Sequence, residues 1–136
     1  QVVLMSLRLF EELADLHSRN ILHLDIKPEN MKWDAEFNRC KILDMGCSVK
    51  VPAGQPLTHE AFHIIGTINY LPPEIKQGKE NTFSDKGDVF AAGKSLKDII
   101  EKAKNLTENE VAVLSKFIER TQATDPSDRP TASEAR

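Results

Sequence analysis

Two cysteines, Cys40 and Cys47, are all that the 136 residues contain. One possible bridge in a domain of this size argues against a secreted fold built on disulfides, so both thiols are expected to be reduced. Long apolar runs are missing as well. No stretch approaches the roughly 18 to 20 residues that a spanning helix needs, and the first residues carry no basic region followed by a cleavage site. The expectation is a soluble, intracellular, cytoplasmic protein without a membrane span. Charge of one sign is also lacking: 18 Lys and Arg against 21 Asp and Glu leave a formal net charge of −3, which provides no global basic field for nucleic acid or an anionic membrane. The histidines at 17, 23, 59 and 63 stand at no spacing with the cysteines that recommends zinc. Internal repeats and low-complexity segments are absent, and the length suits one domain, residues 1–136.

What the sequence does have is helical periodicity interrupted by polar stretches. From Val3 to Ser18 the apolar residues Val3, Leu7, Phe10 and Ala14, then Leu9, Leu13 and Leu16, recur at threes and fours, the mark of one broad buried helical face. Asn20 is a left-handed stop, and Ile21-Leu22 is a brief strand. Met31 to Trp33 and Arg39 to Leu43 flank a turn-forming Asp34 to Asn38, which predicts a small hairpin. Residues 47 to 74, with four prolines and no sustained period, read as a long loop. Ser84 to Lys104 predicts a central buried helix. Thr107 with Glu110 is a capping box that opens an amphipathic helix to about Thr121. Asp125 to Pro130 is a turn, and Thr131 with Glu134 repeats the capping pattern for a last helix, which is expected to run through Arg136. Lys94, Lys97, Lys102 and Lys104 are expected to form a solvated edge. Gln1 is not an initiator methionine and no cap precedes the first helix, so a piece of something longer is expected.

The chemistry concentrates in His23-Leu24-Asp25-Ile26-Lys27-Pro28-Glu29-Asn30. A phosphoryl transfer needs a carboxylate to orient a hydroxyl, an ammonium to stabilise phosphate charge and an amide oxygen for a divalent metal. Asp25, Lys27 and Asn30 have those groups. The hairpin carries Asp44 at its far end, so Asn30 and Asp44 sit at one end of two neighbouring strands and their oxygens can converge on one hard cation. For an isolated Asp-x-x-Pro a turn-capping role would be the better reading of Asp25. The company of Lys27, Asn30 and Asp44 favours function.

Taken in order, the motifs resemble the C-terminal lobe of a eukaryotic-type protein kinase, across essentially the whole chain. They are the loop at 23–30, Asp-x-Gly at 44–46, Gly-Thr-x-x-Tyr-x-Pro-Pro-Glu at 66–74, Asp-x-x-x-x-Gly at 88–93 and Asp-Pro-x-x-Arg-Pro at 125–130. The resemblance implies a mainly α fold with a small β-hairpin, and a Ser/Thr protein kinase that transfers the γ-phosphoryl of Mg-ATP to a protein hydroxyl. It implies Asp25 and Lys27 as catalytic, Lys27, Asn30 and Asp44 as nucleotide-binding, and Asn30 and Asp44 as magnesium ligands. Thr67 is similar to the threonine beside the catalytic aspartate, Glu74 and Arg129 to a buried ion pair, and Asp88 to an aspartate that hydrogen-bonds the catalytic loop. His23 matches a histidine that packs structurally. Lys27 followed by proline is similar to the Ser/Thr-directed pattern.

The chain departs from the family pattern in several places. Leu24 stands where many relatives carry arginine, so no cation is there to pair with a phosphate, and activation without phosphorylation of Ser48 or Thr58 is expected. Met45 replaces a phenylalanine. Lys32 replaces an apolar residue under adenine; either its stem serves while the ammonium snorkels outward, or nucleotide affinity is reduced. The interval from Gly93 to Arg129 lacks room for a substrate-docking helix. No glycine-rich loop or strand lysine is present, so the partner is expected to be an N-terminal lobe in the same full-length chain, and residues 1–136 alone are expected to be inactive. The alternatives are a pseudokinase acting as a binding module and, third, a kinase of small molecules.

Overall fold

The first helical pattern folds as α1, Val2–Ser18, with Leu9, Phe10 and Leu13 fully buried. Its buried face is narrower than the sequence suggests: Val3 and Leu7 are each 41% exposed, because the packed stripe runs through Ser6, Leu9, Phe10, Leu13 and His17. The computed structural model describes residues 2–78 and 81–135, so Arg136, expected to extend the last helix, lies outside the described residues. Asn20 ends α1 in the left-handed conformation, φ 62°, as a polar residue tolerates. β1, Ile21–Leu22, follows at once and pairs antiparallel with β4, Val49–Lys50.

Between them lies the expected hairpin of β2, Met31–Asp34, and β3, Arg39–Ile42, in the register Met31↔Ile42 to Asp34↔Arg39. The turn is set by Asp34, whose Oδ1 accepts from the N–H groups of Glu36 and Phe37, and by Asn38 at φ 49°. Strand alternation puts Met31, Trp33, Cys40 and Ile42 against the core and leaves Lys32, Arg39 and Lys41 outside. Cys40 and Cys47 are both free. Burial, then the charge of Glu12, pushes the Cys40 thiol up to about 11.

The interval read as one long loop is more ordered than its prolines suggest. It contains β4, then β5, Thr58–Glu60, which pairs antiparallel with β6, Thr82–Ser84, and the short helix α2, Pro73–Lys76. Strands of two or three residues have too little alternation to be seen in sequence, and only their distant partners define them. The central helix α3 spans Asp85–Lys102 and α4 spans Glu108–Thr121, with the predicted Thr107–Glu110 capping box formed in both directions. Leu114 and Ile118 carry the buried side of α4, whereas Val113 is turned outward at 56% exposure. The second capping box forms as well, Thr131 and Glu134 exchanging bonds of 2.9 and 3.1 Å ahead of α5, Ala132–Ala135.

Two apolar clusters result. One joins Leu9, Phe10 and Leu13 to Ile26, Cys40, Val89, Leu96 and Ile118. The other gathers Leu22, Leu24, Val51, Ala61, Leu71, Ile75 and Phe83. Leu24 is in one and Ile26 in the other, so Asp25 is held between two packed bodies. No helix among the described residues is long and apolar enough to cross a membrane.

Gly93, buried in α3, faces α4 so closely that an added Cβ would overlap the Thr121 side chain and approach Gln122 Nε2 to 2.8 Å. Helix propensity alone would make Gly93→Ala stabilising by about 1 kcal/mol. Overpacking reverses the sign, and a loss of about 1 to 3 kcal/mol is expected, read as a lower unfolding midpoint in urea.

Candidate active site

The polar loop after β1 is built on Asp88, a carboxylate only 2% exposed in the first turn of α3. Its Oδ2 accepts from the His23 N–H at 2.9 Å and its Oδ1 from the Leu24 N–H at 3.0 Å. His17, from α1, donates its Nε2–H to the same Oδ2 at 2.9 Å. These bonds hold Leu24 at φ 70°, a left-handed conformation that costs a branched residue about 1 to 3 kcal/mol. Gly66 completes the corner, since a Cβ there would collide with the Leu24 carbonyl and its own φ is 99°. The Leu24 side chain is sunk among apolar neighbours, so the position offers no charge to the segment that passes over it.

His23 is fully buried and satisfied at both nitrogens. Nε2–H donates to the Leu43 carbonyl at 2.9 Å, and Nδ1 accepts from the Asp25 N–H at 3.1 Å, which requires the tautomer with its proton on Nε2. One ring thereby joins the backbone of Asp25 to the end of β3.

Asp25 and Lys27 meet through Thr67. The Thr67 hydroxyl donates to Asp25 Oδ1 at 2.8 Å and accepts from Lys27 Nζ at 3.0 Å, while Lys27 Nζ lies 3.9 Å from Asp25 Oδ2. Asn30 is buried and donates Nδ2–H to the Asp25 carbonyl at 2.8 Å, leaving its Oδ1 available. Asp44, exposed at φ 55°, accepts from the Gly46 N–H at 3.2 Å. Among the described residues it shares no hydrogen bond with Asp25, Lys27 or Asn30. Its position is set one residue away, where the Leu43 N–H donates to the Asn30 carbonyl at 2.7 Å. An amide oxygen and a carboxylate are hard donors, and a pair of them suits Mg²⁺, which keeps waters and takes phosphate oxygens for its other positions. No cluster of three or more His, Cys, Asp or Glu side chains able to hold a metal forms among the described residues.

Arg129 anchors the far side. Its side chain is fully buried and meets Glu74 bidentately, Nη2 to Oε1 at 2.7 Å and Nη1 to Oε2 at 3.0 Å. Nε donates to the Ala123 carbonyl at 2.8 Å, and the guanidinium stacks 5.0 Å from the Phe90 ring centroid. Thr67, Asp88 and the Glu74–Arg129 pair each make the contact expected of them.

Comparison with known proteins matches residues 1–136 to the protein kinase domain. The chain belongs to the protein kinase family. It is 41% identical over 87 residues to Aurora kinase B of Xenopus tropicalis, covering 61% of this chain and 22% of that one. It is 37% identical over 100 residues to rhodopsin kinase grk7-a of Xenopus laevis, covering 74% and 17%. It is also 33% identical over 94 residues to serine/threonine-protein kinase mos of Patiria pectinifera, covering 67% and 26%. The chain thus spans roughly a sixth to a quarter of the length of these relatives, and its fold is that of a kinase C-terminal lobe, mainly helical with a few short strands.

Within this kinase lobe some partners were not expected from sequence. His17 falls on the buried stripe of α1 at four-residue steps from Leu9 and Leu13, a register that marks it as an inward polar group. Tyr70 donates its hydroxyl to Asp98 Oδ2 at 2.7 Å, and Lys94 bonds Asp98 Oδ1 at 3.1 Å. The lysine–aspartate spacing of four was legible on α3; the tyrosine, 28 residues distant, was not. Lys32 is exposed and directly opposite Lys41, which itself reaches Asp34 at 3.5 Å. Like charges across a strand pair are unfavourable.

Breaking the Glu74–Arg129 pair leaves a buried charge alone, so Arg129→Met is expected to cost about 3 to 5 kcal/mol in denaturant unfolding. The Tyr70 hydroxyl is pushed up from 10.0 to about 12, first by its bond to Asp98, then by burial and by the charges of Asp98 and Glu29. The same bond, with help from Lys94, holds Asp98 below the usual carboxylate range. The raised tyrosine contributes stability that is complete below pH 10 and lost as pH rises toward 12. Ultraviolet titration of the phenolate should place Tyr70 near 12 and move it back toward 10 in Asp98→Asn.

Proposed function

We propose that in the complete protein this lobe takes part in transfer of the γ-phosphoryl of Mg-ATP to a serine or threonine hydroxyl of a protein substrate. The observation that carries the reading is the Thr67 hydroxyl, held between the Asp25 carboxylate at 2.8 Å and the Lys27 ammonium at 3.0 Å. An alcohol lodged between a proton acceptor and a cation has the surroundings that an attacking hydroxyl needs.

In this reading Asp25 orients the substrate hydroxyl and receives its proton as the oxygen bonds to the γ-phosphorus and the bridge to the β-phosphate breaks. Lys27 stabilises the charge on the transferred oxygens. Asn30 Oδ1 and the Asp44 carboxylate would hold the magnesium, which supplies neutralisation of phosphate charge when bound. Asp88 and His23 position Asp25 through its backbone. Thr67 and Lys27 support Ser/Thr direction, as does the mos relative, whose name describes a serine/threonine-protein kinase; the other two are named as kinases, and a binding-module role draws no support from any of these names. The completing partner in this reading is an N-terminal lobe of the same full-length chain.

Asp44 is exposed and its one side-chain bond is to the Gly46 N–H, so Asp44→Ala should keep the fold, at a local cost of about 1 to 2 kcal/mol for Ala in the left-handed conformation. In the full-length protein, phosphorylation of a generic protein substrate with Mg-ATP is expected to fall by about 10²-fold or more in Asp44→Ala and in Asp25→Asn. Equal activity of wild type and Asp44→Ala would overturn the metal assignment.

A further inference from the structure

A cavity of about 490 Å³ opens where the end of α1, the start of α3 and the start of α5 meet. Its charged walls are of one sign: Glu11 and Asp15 come from α1 and Asp85 from α3, and no lysine or arginine among the described residues lines it. Ala14, Leu57 and Ala132 add apolar surface. The three acids differ in what answers them. Glu11 is paired with Arg8 and Asp15 with Arg19, both at 2.9 Å and both partly open to water, where such pairs add little and exchange readily. Asp85 meets no cation among the described residues, and its neighbour Lys86 is turned to the Arg129 carbonyl at 2.7 Å.

Carboxylates alone do not define a ligand; His17 does. It lines the same cavity, although its side chain is only 8% exposed. Its Nε2–H is engaged with Asp88, and in that tautomer Nδ1 is a bare acceptor. Nδ1 accepts from no donor among the described residues and yet is not sealed from solvent, so its lone pair is open to the cavity. A largely buried acceptor without a donor costs free energy, and one positively charged donor would answer both it and Asp85. An ammonium has that chemistry, since it donates to the imidazole nitrogen and pairs with the carboxylate. Acids on two different helices favour a ligand charged at both ends over the single ammonium of a partner's lysine, and the apolar residues suit methylenes.

We propose that this cavity binds a free aliphatic diamine or polyamine, one ammonium held by His17 Nδ1 and Asp85 and another by Asp15 and Glu11. The ligand reaches the polar loop through His17. With Nδ1 occupied as an acceptor, the ring stays in the form that donates Nε2–H to Asp88, which in turn holds the N–H groups of His23 and Leu24. Binding favours the ordered loop through its preference for that ring state. The amine site uses neither Asp25 nor Asp44 and stands apart from the phosphoryl-transfer reading.

The test titrates spermidine by calorimetry into the full-length protein at low salt. Glu36→Gln, exposed in the β2–β3 turn, controls for unspecific charge. Saturable one-to-one binding is expected, weakened about tenfold by Asp85→Asn, about threefold by the exposed Asp15→Asn and unchanged by Glu36→Gln. Nitrogen-15 spectra of histidine-labelled protein should show His17 Nδ1 moving upfield as it accepts. At spermidine ten times Kd, exchange of the His23 and Leu24 amides should slow about tenfold. No saturable binding, equal weakening by the cavity and control substitutions, or an unmoved His17 Nδ1 would overturn the site. Binding of Nα-acetyl-lysine amide as tightly as spermidine would reject the polyamine in favour of a partner's lysine. Unchanged amide exchange in the presence of binding would overturn the link to the loop. The activity of Asp44→Ala bears on the phosphoryl-transfer reading alone, so the two can fail separately.

Discussion

The Asp88 carboxylate is the interaction on which the rest of the site depends. It is buried in the first turn of α3, where the helix dipole favours a negative charge, and three donors surround it: the backbone N–H groups of His23 and Leu24 and the ring of His17. A buried anion is tolerated only when it is hydrogen-bonded in this way. The same bonds hold Leu24 left-handed, and that one residue turns the chain so that Asp25 faces Thr67 rather than the core. Three parts of the sequence, around residues 17, 23 and 88, are thereby joined at a single group.

Hydrophobic packing sets the remaining degrees of freedom. Leu24 and Ile26 enter different apolar clusters, so rotation of the loop about Asp25 would expose one or the other. Burying side chains of this size is worth about 1.5 to 3 kcal/mol each, comparable to or larger than the strain at Leu24. The segment that carries Thr67 is held from beneath by Leu71 and Ile75, at one side by the β5–β6 pairing and at its end by Glu74 on Arg129. These contacts are apolar or internally neutralised. The segment is thus ordered at Leu24 by packing, without a charge at that corner.

Much of this could be read from the sequence, and the reasons differ by element. The capping boxes at Thr107 and Thr131 are local, their donors and acceptors three residues apart, so sequence and structure agree to the residue. The β2–β3 hairpin is local too, with Asp34 closing β2 and Asn38 in the turn before β3. The strands β4, β5 and β6 were not legible, because each has two or three residues and exists only through a distant partner. The outward positions of Val3 and Leu7 were missed for a related reason: periodicity tells which residues share a face, and the neighbour decides how wide a face is covered.

For the candidate site, residue type and order were enough to single out Asp25, Lys27, Asn30 and Asp44 as candidates and to suggest the family, since those side chains and spacings lie within short motifs. What the sequence by itself determined is therefore the chemistry available and the helices that carry it. Tertiary structure alone decided further pairings across the chain: His17 with Asp88, Tyr70 with Asp98, the Lys27 ammonium on the Thr67 hydroxyl, and the exposure of Phe62 beside a cleft. Each joins groups from about 28 to 71 residues apart or depends on what fails to cover a side chain. Distances of that kind arise only when both apolar clusters have closed around the polar loop.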